Sequence, residues 1–341
     1  MTISAKKGRA TGRITLNDVA TAAGVSLITA SRALRHISTV DSAMASRVHE
    51  AARNLNYQPN PAARALASAR SMSVIVLVPS FTNTVFAALL ESLNTPLRAQ
   101  GYHILIGDTH YNNDDEEALL RNLLMHNPSG LIVTGFDRND SARRLIHASG
   151  IPCVHLMEVS NAPGVHSVGF SQSDSGYAMT RHLLERGARR IVYAAAQLDA
   201  RAMERGQGYR QALQEAGCYD RARELLSPSP SSVGLGADMF QQIRNQLSDT
   251  DAIFFCNDNL AHGGLLEAMR MGVKVPDEIK IVGFNDVDES RYTVPRLTTI
   301  NTPRAKVGEL AADMLIRLMQ GQVVEQPCID LGFELVVRES S

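Results

Sequence analysis

Between residues 14 and 56 the apolar positions recur every three or four residues, in three short runs. Leu16, Val19, Ala20 and Ala23 share one helical face. Thr15 stands where an N-cap is needed. Gly24 closes the run, because a tight turn after a helix takes a left-handed backbone. Ser26 caps a second run, on which Ala30, Ala33 and Leu34 share one side while Leu27, Ile28, Ser31 and Arg32 look elsewhere. Met44, Val48, Ala51, Ala52 and Leu55 form the third apolar stripe. Ala20 and Ala23 are slim enough for the first two helices to cross closely. The spacing predicts a helix-turn-helix, a unit whose second helix enters the DNA major groove.

From residue 72 the pattern changes to short continuous apolar runs that alternate with amphipathic ones. Strands are expected at 73–79, 102–108, 130–135, 152–156, 166–169, 190–196, 252–256, 279–284 and 331–337. Helices are expected at 83–100, 114–126, 141–149, 174–187, 203–217, 237–247, 260–272 and 302–321. The first strand, Ser-Val-Ile-Val-Leu-Val, is apolar at successive positions, as a strand buried on both faces must be. Strands alternating with helices predict parallel sheets flanked by helices. Residues 72–158 and 162–288 are similar in size and each reads as one such lobe. The tail, 301–320 and 322–338, is too small for a third lobe and is expected to complete the first and second sheets respectively.

Charge sharpens this division. Residues 1–70 carry ten Lys/Arg against three Asp/Glu, leaving 24 against 32 for the rest of a chain with 34 and 35 in all. A basic head on an acidic body suits a head that binds nucleic acid. Residues 1–13 carry Lys6, Lys7, Arg9 and Arg13 without an apolar run, so they read as a flexible basic tail and not as a secretory signal. No apolar run nears the ~20 residues that span a bilayer. Cys153, Cys218, Cys256 and Cys328 have no metal or redox spacing and read as reduced thiols of a cytoplasmic protein.

Residues 16–68 carry the block L-x-D-V-A-x-x-A-G-V-S, then S-R, then L-N-Y-x-P-N-x-x-A-R-x-L. This block resembles the LacI/GalR family of bacterial transcription regulators. The resemblance implies an all-α helix-turn-helix headpiece (14–58), a hinge helix or linker (59–71) and a two-lobed, periplasmic-binding-protein-like α/β body (72–341). It implies crossovers between the lobes near 158–162, 288–301 and 321–325. Ser26, Leu27, Ile28, Thr29, Ser31 and Arg32 become candidates for DNA contact. Arginine can fork to guanine, aliphatic groups can touch thymine methyls, and small hydroxyls suit phosphates. Tyr57, Asn60, Ala63 and Leu66 join them through the hinge block, with Leu66 matching the family's minor-groove wedge. An apolar wedge of this kind unstacks a base step and kinks the duplex. A helix this short is unstable alone in water.

In open α/β sheets ligands bind beyond the carboxyl ends of strands. Loop starts there offer Ser80, Phe81, Asn83, Phe86, Thr134, Arg205, Asn257 and Asn285 as candidate ligand contacts, a mixture of polar and aromatic groups suited to a polyol or sugar acid. The competing role for Ser, Asn and Asp at such places is helix capping. The resemblance singles out Arg205, in R-G-Q-G-Y, as the effector anchor and Asn257 as a ligand contact. Asn285 stands where sugar-binding relatives usually carry Asp, and the stretch 230–233 lacks the aromatic on which ring ligands stack. A retained arginine with a lost carboxylate points to an open-chain or acidic carbohydrate, because an amide does not repel an anion.

The phrases at 78–87 and 329–335 are similar to regulators of gluconate and ketogluconate use. The expected function is therefore a homodimeric repressor, released from a palindromic operator by gluconate or 2-ketogluconate. The alternatives are a neutral sugar or purine as ligand, or a ligand that acts as co-repressor. The chain shows no G-x-G-x-x-G after its first strand, no P-loop, no G-x-S-x-G and no H-E-x-x-H, so no enzymatic activity and no cofactor are expected. The resemblance implies that tetramers in this family need a leucine-heptad tail, which residues 338–341 do not supply, so a dimer is expected while other routes to a tetramer stay open. The expected location is the cytoplasm, on the nucleoid when operator is bound.

Overall fold

A computed structural model describes residues 14–34, 39–58 and 71–341. The hinge residues 59–70 and the basic tail 1–13 lie outside the described residues. The chain divides into two units, 1–71 and 72–341.

In the first unit, α1 (Leu16–Ala23) opens with a capping box. The Thr15 hydroxyl accepts from the Asp18 N–H, and the Asp18 carboxylate accepts from the Thr15 N–H at 2.8 Å. Gly24 ends the helix at φ 64°. The hydroxyl of Ser26 accepts from the Thr29 N–H at 3.1 Å and so caps α2 (Leu27–Leu34). Asp41 caps α3 (Ser42–Asn54). Val19, Ala20, Ala23, Ala30, Ala33, Val48 and Ala52 form the core, following the periodicity of the sequence.

The second unit has two lobes. The first is a parallel six-stranded sheet built from β1 (Ser73–Val78), β2 (His103–Asp108), β3 (Gly130–Thr134), β4 (Cys153–Leu156), β5 (Ser167–Gly169) and, late in the chain, Cys328–Asp330. Alternation along β1 serves two cores. Val74, Val76 and Val78 join the cluster that holds Leu89, Leu93 and Leu97 of α4 (Thr84–Ala99), whereas Ile75 and Leu77 join Leu120 of α5 (Asn113–Leu124) and Ala142 of α6 (Asp140–Ser149).

The second lobe is a parallel four-stranded sheet of β6 (Ile191–Ala196), β7 (Glu224–Ser227), β8 (Ala252–Phe255) and β9 (Lys280–Val282), in the order β7-β6-β8-β9. Two packed helix pairs cover it: α7 (Gln172–Glu185) with α8 (Ala200–Glu215), and α9 (Val233–Gln246) with α10 (Asp258–Met271). The tail supplies β10 (Thr299–Asn301), α11 (Arg304–Met319), β11 (Cys328–Asp330) and β12 (Glu334–Val336). β10 and β12 pair antiparallel, and α11 packs along α4 of the first lobe.

All three expected lobe boundaries move. Residues 167–169, expected in the second lobe, lie in the first sheet, with His155 opposite Ser167 and Cys328 on the other side. Residues 328–330, expected in the second lobe, close the edge of that same sheet. The crossings therefore fall at 170–171, 302–303 and 331–333, later than expected in each case. Among the described residues no helix is long and apolar enough to cross a membrane.

Candidate DNA-binding face and ligand cleft

On α2 the core takes Ala30 and Ala33, which turns the opposite face outward. Leu27 and Ile28 are 49 % and 64 % exposed, an unusual position for large aliphatic side chains on a folded surface. Ser26 and Arg32 are exposed beside them, and Thr29 and Ser31 are half-buried. The six side chains expected to meet DNA thus cluster at the start and along one side of this helix. Tyr57 behaves differently: its ring packs against the core of the unit, and burial raises its phenol pKa. Asn60, Ala63 and Leu66 lie outside the described residues.

In the second unit a cleft opens between the lobes. Asn83, Phe86, Arg205, Asn257 and Asn285, all expected there, line it together. Each arrives by a different route. Asn83 caps α4 through the Val85 N–H at 3.1 Å, and Phe86 follows in the first turn. Asn257 caps α10: its Oδ1 accepts from the Leu260 N–H at 3.1 Å and from the Ser231 hydroxyl at 3.0 Å. Asn285 follows β9 and is held through its backbone, with N–H to the Ile300 carbonyl at 2.9 Å and φ at 114°.

Arg205 is buried on α8. Its Nε donates to Gln172 Oε1 at 3.0 Å, its Nη1 to the Cys256 carbonyl, and its guanidinium carbon sits 4.1 Å above the Phe284 ring. All three partners are neutral. Among the described residues no carboxylate forms an ion pair with it. The charge is thus oriented without a contact ion pair at the wall of a cleft, although the Asp199 carboxylate, which lines the same cleft, is held down partly by it.

Tyr111, Gln172, Ser231 and Phe284, not expected as ligand contacts, also line the cleft, as do Asp199 and Arg201, which fall in the loop start 197–205 expected to face it but were not singled out. Tyr111 accepts from Asn83 Nδ2 at 3.2 Å, and burial raises its pKa. Arg201 follows the Asp199 cap on α8 and reaches carboxylates of both lobes: Asp199 at 3.4 Å, Asp137 at 3.5 Å and Glu158 at 3.2 Å. Ser231 fills part of the stretch that lacks an aromatic, so the cleft presents a hydroxyl there.

Three expected contacts stand elsewhere. Ser80 accepts from the Thr82 and Asn83 N–H groups and organises the loop before α4. Phe81 is 55 % exposed, with its N–H bound to Asp108 at 3.1 Å. The Thr134 hydroxyl is buried and donates to the Leu77 carbonyl at 3.1 Å, tying β3 to β1. For Ser80 local hydrogen bonding to the backbone takes the hydroxyl, whereas Thr134 lines a second pocket that shares Tyr111 and Arg201 with the cleft. The acidic start of α5 is likewise structural: Glu116 pairs with Arg138 at 3.1 Å, and Glu117 accepts from Ser141 at 2.8 Å.

Comparison with known proteins matches residues 15–60 to "Bacterial regulatory proteins, lacI family" and residues 180–341 to "Periplasmic binding protein-like domain". The HTH-type transcriptional regulator GntR of Pseudomonas aeruginosa is 54 % identical over 98 % of this chain and 98 % of its own length. The transcription regulator GntR from Chromobacterium violaceum is 44 % identical in its crystal structure, covering 79 % of this chain and 99 % of that one at a TM-score of 0.77. The lac repressor dimer bound to operator and the anti-inducer ONPF is 26 % identical, covering 96 % of this chain and 99 % of that one at a TM-score of 0.83.

Proposed function

The chain belongs to the lacI family of bacterial regulatory proteins, and from that premise we propose that it represses sugar-acid catabolic genes and leaves its operator when gluconate or 2-ketogluconate binds. It is a DNA-binding transcriptional regulator, like the relatives that cover its whole length. The observation that carries the finer reading is the environment of Arg205. A buried guanidinium whose hydrogen-bond partners are all neutral, with Asp199 acting on it only at longer range, can still serve as counter-charge for a carboxylate. Asn257 and Asn285 offer amides beside it where carboxylates would repel an anion. Asn83, Tyr111 and Ser231 supply donors and acceptors for hydroxyls, and no ring platform stands at 230–233. That set suits an open-chain polyhydroxy acid. The GntR name of the relatives points the same way.

The chain acts as a homodimer, because two headpieces reading a palindrome bind it far better than one. Ligand and operator then oppose each other: whatever factor the ligand takes from operator affinity, the operator takes from ligand affinity. Calorimetric titration of the full chain against gluconate, 2-ketogluconate, 6-phosphogluconate, glucose, ribose and a purine tests the reading. Binding of a sugar acid that disappears in Arg205→Ala supports it. Binding of only the neutral sugars or the purine sinks the acid reading and leaves the family untouched.

A further inference from the structure

We propose that Arg304 is a positioning residue: it holds Asn285 in the cleft and ties that contact to the first lobe. The proposal rests on the reading of the cleft as the effector site. Asn285 and Asp286 follow each other at φ 114° and 50°, both in the left-handed region that non-glycine residues avoid. Such a pair persists only when its surroundings fix it. The surroundings are specific. Arg304 Nη1 donates to the Asn285 carbonyl, and Nη2 donates to the Asp286 carbonyl at 3.1 Å. The Asp286 carboxylate is taken separately, by Arg338 at 2.6 Å and Arg291 at 3.5 Å. One planar fork thus grips two successive carbonyls, a geometry that an ammonium cannot reproduce.

The location of Arg304 gives the grip its consequence. It is the first residue of α11, whose N-cap, Pro303, makes no side-chain capping bond. Its side chain turns back across the crossing at 302–303 to a loop of the second lobe. The rest of α11 belongs to the first lobe. At Gly308 it runs so close to α4 that an added β-carbon would stand 2.9 Å from the Leu89 carbonyl oxygen. About one turn nearer the N-terminus, α4 presents Asn83 and Phe86 to the same cleft. The ligand walls of the two lobes are therefore joined by a chain of packed elements, α4 to α11 to Arg304 to Asn285. A ligand that touches Asn83 and Asn285 at once acts on both ends of that chain.

The test uses the full chain as Arg304→Gln, Arg304→Lys, Asn285→Ala and the Arg304→Gln/Asn285→Ala double variant. Hydrogen exchange reads positioning without any ligand. Amides at 284–290 should exchange about tenfold faster in Arg304→Gln, with α7 and α9 unchanged and Arg304→Lys in between. Gluconate titration reads the route. Each single variant should weaken binding about tenfold, and the double variant no more than Asn285→Ala alone, because a residue acting through Asn285 has nothing left to position. Wild-type exchange at 284–290 in Arg304→Gln, or losses that multiply in the double variant, would overturn the proposal. If wild-type protein ignores gluconate, the functional reading above fails, while the exchange measurement still decides the role of Arg304.

Discussion

Arg201 reaches from one lobe to the other and stands 3.2 Å from the Glu158 carboxylate. The pair is unequal. Burial works to lower the Arg201 pKa, but Asp199, Asp137 and Glu158 together more than reverse it. For Glu158 burial wins: it is pushed up to about 7, with Arg201 opposing and Glu204 and Asp137 adding to the rise. One guanidinium shared among several carboxylates leaves Glu158 the least compensated. Its ordinary pKa is 4.5, so between pH 4.5 and about 7 the folded protein holds a proton that the unfolded chain has lost. Stability from this group is full below pH 4.5 and falls as pH rises through 7, by up to about 3 kcal/mol. Glu158→Gln should remove that slope. In melting experiments at pH 5 and pH 8, the variant should gain on wild type at the higher pH. Parallel pH dependences would show that Glu158 is ionised throughout.

Arg205 owes its place to glycines on the helix that carries it and on the helix packed against it. A β-carbon on Gly208 would stand 1.9 Å from the Ser173 carbonyl oxygen, and one on Gly176 would stand 2.2 Å from the Arg205 carbonyl oxygen. α7 and α8 thus touch backbone to backbone, and no side chain can rotate out of such a contact. Gly208→Ala should force the helices apart, lowering stability by about 1–3 kcal/mol and weakening ligand binding with it. Thermal melts and titration of the same preparation check both. An unchanged melting temperature would mean that the two helices accommodate a methyl group at this contact.

On the headpiece, Arg32 and Ile28 lie four residues apart on the outward face of α2 and carry no part of its core. Their loss should leave folding intact and weaken DNA binding. On a duplex selected by the full chain from random sequence, Arg32→Ala should lose about 1–3 kcal/mol of affinity and relax the choice of base at one position. Uniform weakening over all sequences, with a shallower salt dependence, would instead make Arg32 a phosphate contact.

How far these sites were legible in the sequence depended on the range of the interactions that build them. Asn257 could be found because a strand end followed by a helix start is a local pattern, and Asn285 because it follows an apolar run. Arg201 could not. It stands four residues before Arg205 on the same helix, but its role comes from Asp137 and Glu158, 64 and 43 residues away along the chain. Ser80 and Thr134 have the composition of ligand contacts yet spend their hydroxyls on nearby backbone. The lobe boundaries shifted for a similar reason. β5 and β11 are three residues each, too short for a periodicity that assigns them to a sheet, and only their pairing with β4 and with each other does so.

The charge of the ligand can be read from a single position. Asn285 lines the cleft with an amide, near the guanidinium of Arg205, which has no carboxylate partner among the described residues. Asn285→Asp adds a negative charge of nearly the same size and shape. Against an acidic ligand the new charge repels the carboxylate and also competes for Arg205, so gluconate affinity should fall about 10- to 100-fold. Against a neutral open-chain polyol such as sorbitol the same carboxylate is a stronger acceptor for hydroxyls, so affinity should hold or rise. The two ligands differ at one end only, which makes the opposite response diagnostic. Equal losses for both would mean that the variant distorts the 285–286 backbone, and a gain for gluconate would place its carboxylate away from this wall of the cleft.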